Sequence, residues 1–279
     1  MMLVIIFLGG AANLTNIDAS DDMSFEIPII YNGLSPSTSN NPKTNVSLVP
    51  YAGYMDALMQ LKMRRRGHMY SLDTAINTPW SALKSSYISF EDAAKLEGET
   101  VGLIQNMKNP SLYYVNLLAI SILDGENHLA LDIPPKTFAI DDNGRGGFFL
   151  DSGTPITRLH TSAYDELCRM LSVVFLLSHI STVRSIHRQS YEYCFDASLE
   201  DVEHISVVFT IDLVDVKITD KQLFYEEVDI ANNPILCLAI FKADSSDPTT
   251  SILGGFAMSD HNIGYDLHRQ MVTFNPTTC

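Results

Sequence analysis

The chain has 279 residues, 46% of them apolar, with 15 Gly and 12 Pro; this is enough for one large domain or two modest ones, and too apolar for a disordered protein. Residues 1–70 hold five basic and five acidic residues, so the net charge of −15 belongs entirely to residues 71–279, with 13 basic and 28 acidic. Such a surface repels nucleic acid and anionic membranes at neutral pH, which argues against both as partners, and its mutual repulsion falls in acid as carboxylates protonate.

The first element is the apolar run Met1 to Ala12, of about signal-peptide length and too short to span a bilayer, which predicts a signal peptide over residues 1–20 and no integral membrane segment. Asn13-Leu14-Thr15 and Asn45-Val46-Ser47 are glycosylation sequons for a chain on the secretory route, with Asn45 in the more polar surroundings. Ser24 to Ile30 reads as a strand and a Pro/Ser/Asn-rich loop follows. Tyr51 to Tyr70 then carries Leu58, Leu61 and Met69 near helical spacing, with a basic cluster at Lys62, Arg64, Arg65 and Arg66.

Tyr70 to Pro79 alternates as a strand does, and Ser86-Tyr87-Ile88-Ser89-Phe90 follows. Val101 to Ile104, Asn109 to Leu117 and Ala119 to Ile122 are apolar, β-branched or aromatic runs with turn residues between them. Phe148-Phe149-Leu150 then enters Asp151-Ser152-Gly153-Thr154, an Asp-Ser-Gly-Thr that occurs once in the chain. Alone, the tripeptide equally suits a tight turn after a buried strand.

Thr161 or Ser162 is suited to cap a helix running to about Leu177, with Asp165 and Glu166 in its first turn where the dipole favours them. Further strands are expected at Ser206–Ile211, Asp215–Ile218, Leu236–Phe241, Ser251–Leu253, Asn262–Tyr265 and Met271–Phe274. Four cysteines, Cys168, Cys194, Cys237 and Cys279, allow three pairings in an oxidising compartment. The fold class is mainly β with one or two helices.

One ordered series runs Asp151-Ser152-Gly153-Thr154, Thr157-Arg158-Leu159, Thr161 to Leu167, Tyr193-Cys194-Phe195-Asp196, Leu236-Cys237-Leu238-Ala239, Ser251 to Gly255, Ile263 to Leu267 and Val272 to Cys279. Over residues 86–279 this series resembles the C-terminal lobe of plant pepsin-like aspartic proteases of the nepenthesin type, a lobe shared with xylanase-inhibitor-like proteins. The resemblance implies a single lobe of the bilobal acid-protease fold. It also implies a Cys194–Cys237 disulfide, leaving Cys168 and Cys279 as candidate free thiols or partners of a missing part.

Residues 24–70 resemble the propeptide of the same proteases, whose positive charge can sit over the catalytic carboxylates until acid neutralises them. Residues 71–85 resemble a remnant of the first mature strand and a junction, with Asn77 where the family has Gly. A second alignment makes Asp73-Thr74-Ala75 the first catalytic loop. Under either alignment the Gly that such a loop needs is absent. Most of the N-terminal lobe, with its Asp loop and flap Tyr, has no counterpart in the sequence.

Peptide hydrolysis by this route takes two carboxylates sharing a proton, one ionised to accept a proton from water and one protonated to polarise the scissile carbonyl. The resemblance makes Asp151 the catalytic carboxylate, Thr154 the hydroxyl that bonds across to the opposite loop, and Ser152 a residue that orients the Asp. It makes Ile252-Leu253-Gly254 the strand that crosses beneath the loop. No metal and no cofactor is expected.

Four functional classes follow. The first is an aspartic endopeptidase by descent, acting on polypeptide but inactive as a monomer. The second is activity by self-association through the uncovered lobe face. The third is a noncatalytic binding protein, with a microbial glycosidase as the partner. The fourth is a truncated gene product. The expected location is extracellular or vacuolar, by the secretory route.

Overall fold

A computed structural model describes residues 25–29, 69–74, 86–90, 94–152, 154, 156–183 and 193–277. The expected signal peptide, the sequons at Asn13 and Asn45, the basic cluster at 62–66, Gly153 and Cys279 lie outside the described residues.

Short strands dominate because the sequence alternates between runs such as Leu117–Asp124 (β6) and Ile205–Ile211 (β12), whose β-branched and aromatic side chains suit a half-buried pleat. These two pair antiparallel, Phe209 opposite Ile120 and Val207 opposite Ile122, and all four of those side chains are buried. Asn127–Ala130 (β7) and Val214–Thr219 (β13) flank them in a four-stranded sheet ordered β13-β12-β6-β7.

A second four-stranded sheet joins Thr182–Val183 (β10), Cys194–Phe195 (β11), Pro234–Leu238 (β15) and Phe224–Val228 (β14). Cys194 and Cys237 face each other across β11 and β15 and form the disulfide that the resemblance implies.

The longest helix among the described residues, Thr161–Leu177 (α1), buries Ala163, Tyr164, Leu167, Leu171, Val174 and Phe175, a stripe at three- and four-residue spacing. Phe175 carries it onto the core, its ring 4.1 Å from that of Phe195 and 6.0 Å from that of Phe224. Leu199–Val202 (α2) and Asp220–Leu223 (α3) are single turns, each opened by a Ser or Thr capping box.

The start of α1 departs from expectation. The capping side chain belongs to His160, not to Thr161 or Ser162, and the first turn contains no acidic residue. Asp165 and Glu166 fall one turn further in, where they pair with Lys242 at 2.6 Å and Arg169 at 2.7 Å. The expected strand Leu236–Phe241 is divided at Ala239, where the chain bends and the N–H donates to the Leu223 carbonyl at 2.6 Å. Its second part, Ile240–Lys242 (β16), joins a different sheet.

The largest sheet is six-stranded and antiparallel, ordered β1-β3-β2-β18-β19-β4: Phe25–Ile29, Ser86–Phe90, Met69–Thr74, His261–Asp266, Met271–Pro276 and Glu99–Gly102. It draws residues 25–29, 69–74 and 86–90 and the C-terminal strands into one layer. Every residue of β18 is buried. Asp73 lies inside β2, in register with Asn262 and Tyr87, which is the strand alignment of this segment and not the catalytic-loop alternative.

Candidate active site

The remaining sheet positions the Asp loop. Its order is β16-β9-β17-β8-β5, with Phe148–Asp151 (β8), Thr157–Leu159 (β9), Ser251–Gly254 (β17) and Tyr113–Val115 (β5) joining β16. Phe148 and Leu150 are buried, which pins β8 in the core and delivers Asp151 to its end, half-buried. β17 runs parallel to β8 in the register Ile252 opposite Phe149, Leu253 opposite Leu150 and Gly254 opposite Asp151. The Ile-Leu-Gly strand singled out in the sequence thus lies directly beside the Asp strand.

Gly254 is required by close approach. A Cβ there would stand 2.6 Å from the Ile156 carbonyl carbon and 2.7 Å from the Thr157 nitrogen, both backbone atoms with no freedom to turn aside. The chain after the loop folds back over Gly254, and three hydrogen bonds hold it. Gly254 N–H donates to Thr157 Oγ1 at 3.1 Å, Gly255 N–H to the Thr154 carbonyl at 2.7 Å, and Thr154 N–H to the Asp151 carbonyl at 3.1 Å.

The Thr154 hydroxyl donates to Asp151 Oδ2 at 2.8 Å. This hydroxyl bond lies within the Asp loop itself. Ser152 itself is buried.

Behind the loop, the Gln222 side chain on α3 donates through Nε2 to the Ala257 carbonyl at 3.1 Å and to the Ser259 carbonyl, pinning the turn that follows β17. His261 completes this buried group, its Nδ1 3.0 Å from the Ser259 carbonyl oxygen and burial pushing its pKa below the ordinary value. Phe256, on the same turn, meets the Tyr225 ring at 6.3 Å.

Sequence reading placed Asp151 and the Ile252-Leu253-Gly254 strand together, named Thr157 and Gly255 within its ordered series without a role, and missed Gln222, for which the helical turn at 220–223 gave no signal. Among the described residues no group of three or more His, Cys, Asp or Glu is placed to hold a metal. Cys168 stands half-buried on α1, outside the Cys194–Cys237 bridge.

A mainly β lobe with an Asp-Ser-Gly-Thr loop braced by a parallel Ile-Leu-Gly strand is the C-terminal lobe of the pepsin-like aspartic-protease class. The family described as xylanase inhibitor C-terminal matches residues 112–276, more than half of the sequence, and the chain belongs to that family.

The chain is 30% identical over 180 residues to aspartic proteinase nepenthesin-2 of Nepenthes gracilis, an alignment covering 63% of this chain and 38% of that protein. It therefore spans well under half the length of this relative. Among solved structures, edgp superposes with a TM-score of 0.60 at 18% identity, covering 75% of this chain and 54% of that one. Basic 7S globulin from soybean superposes with a TM-score of 0.54 at 18% identity, covering 75% and 52%. At these identities the two structures speak for the fold.

Proposed function

We propose that the chain is a noncatalytic protein-binding lobe, which keeps the acid-protease fold without hydrolysing peptide by itself. The observation that carries this reading is the single Asp-Ser-Gly-Thr loop in 279 residues, set against chemistry that takes two carboxylates sharing one proton. Membership of a family described by xylanase inhibition supports a microbial glycosidase as the partner. The buried Cys194–Cys237 bridge supports the secretory route, extracellular or vacuolar, because disulfides persist in oxidising compartments.

Calorimetric titration of the full chain with a fungal or bacterial xylanase tests the reading. Saturable binding is expected, and heats indistinguishable from dilution against a panel of such enzymes would remove the partner assignment.

A second reading is favoured by the Asp151 loop itself. Its carboxylate accepts a hydroxyl hydrogen bond and its backbone is fixed by Gly254, Gly255 and Thr157, an arrangement suited to an aspartic endopeptidase half that awaits a second carboxylate. In this reading Asp151 acts on a polypeptide only when another loop, from a separate lobe or a second copy, is brought opposite it. Sedimentation equilibrium distinguishes the second-copy route, which requires a dimer at assay concentration.

A further inference from the structure

His160 is an unusual residue to open a helix. Its Nδ1 stands 3.2 Å from the Ser162 backbone nitrogen and 2.9 Å from Ser162 Oγ. The backbone N–H can only donate, so Nδ1 must present its lone pair, and the imidazole caps α1 only while that nitrogen carries no proton. The backbone N–H of the same residue donates to Ser251 Oγ at 2.8 Å, and Ser251 is fully buried at the start of β17. Three residues along that strand, Gly254 lies opposite Asp151. His160 therefore joins the start of the long helix to the strand that supports the Asp loop.

We propose that the His160 ring is an acid-released latch on the start of α1: neutral, it caps the helix at the point where the backbone N–H of the same residue holds it to β17, and its protonation opens the cap. An imidazolium there replaces an acceptor with a second donor facing the Ser162 N–H and sets a positive charge against the positive end of the helix dipole.

The charged groups on the surrounding elements are engaged elsewhere. On α1, Asp165 pairs with Lys242 of β16 and Glu166 with Arg169. In the loop before β17, Asp244 accepts from Ser246, and Asp247 from Thr249 and Thr250. Arg158, on β9, is the nearest cation in sequence, and its charge acts on Asp244. Burial lowers the pKa of His160 below the ordinary histidine value, in keeping with a neutral ring in the folded state. The sign follows: the cap's contribution is present above the unfolded histidine value, about 6.5, and is lost as the pH falls through the folded one.

Amide hydrogen exchange on the full-length chain tests the latch, with the protection factor of the Ser162 N–H read at about pH 7.5 and at a pH below the His160 ring's own titration, measured first in the same chain. The unaltered chain is expected to lose about fivefold protection at the lower pH, the size of a typical cap. His160→Asn, whose side chain caps without titrating, is expected to hold the same protection at both. Equal protection at both pH values in the unaltered chain, or an equal loss in His160→Asn, would overturn the proposal. Should that variant fold poorly, the ring titration of His160 in the unaltered chain decides: a midpoint below the ordinary histidine value supports the latch, and one at or above it refutes it.

Discussion

Thr157 is fully buried on β9, and its hydroxyl is the acceptor for Gly254 N–H beside Asp151. Removing that oxygen while keeping the shape leaves a buried donor unsatisfied, which costs about 1–3 kcal/mol. Thr157→Val is therefore expected to lower stability by that amount in urea titration, whereas Thr157→Ser retains most of it. Gly254→Ala acts through crowding: the added carbon meets the backbone at Ile156 and Thr157, and a loss of about 1–3 kcal/mol is expected in the same titration. At this scale the sequence revealed Asp151 and Gly254, since Asp-Ser-Gly-Thr and Ile-Leu-Gly are local strings. It did not reveal that the Thr154 hydroxyl turns back onto Asp151, because whether a hydroxyl three residues on reaches a carboxylate depends on the path of the loop.

Strands read from alternation matched those observed wherever the run stood alone, as in β12 and β13, and the helix ends at Leu177 as its apolar spacing indicates. Two features were illegible for physical reasons. Leu236 to Phe241 shows no break in polarity, so its division at Ala239 depends on the separate sheets that its two halves join. The cap at His160 defeats propensity because Thr161 and Ser162 are better capping types, while the imidazole wins by its reach. The Cys194–Cys237 bridge ties β11 to β15 across 43 residues of sequence. Replacing both cysteines with Ala is expected to cost about 2–4 kcal/mol, measured as a fall in the urea midpoint at neutral pH under oxidising conditions.

For the whole molecule, acid acts in opposite directions. A net charge of −15 repels itself near neutrality, and this repulsion falls as carboxylates protonate. Against it, Asp141, Asp201 and Asp244 are held below the ordinary carboxylate range by the backbone N–H groups of Arg145, Ser198 and Ser246, and Asp229 by the side chain and backbone of Asn233. A depressed carboxylate stabilises above its unfolded value and loses that contribution as the pH falls through its folded value, a window opening near about pH 4. His160 and His261, both lowered by burial, begin their loss earlier, from about pH 6.5 downward. The urea midpoint is therefore expected to decline in two stages on acidification, and a midpoint that rises steadily into acid would show that charge repulsion dominates.

The six-stranded layer was the least legible part of the fold, since it pairs residues 69–74 with 261–266 and residues 25–29 with 86–90, and no local pattern encodes pairings across such separations. The same scale holds the central claim, that a chain with one Asp-Ser-Gly-Thr loop binds protein without cleaving it. The most direct test is hydrolysis of an unfolded protein by the purified full chain at acid pH, with and without pepstatin, beside Asp151→Asn. The account predicts no pepstatin-sensitive cleavage and no difference between the two chains. Cleavage that pepstatin blocks and Asp151→Asn abolishes would contradict it.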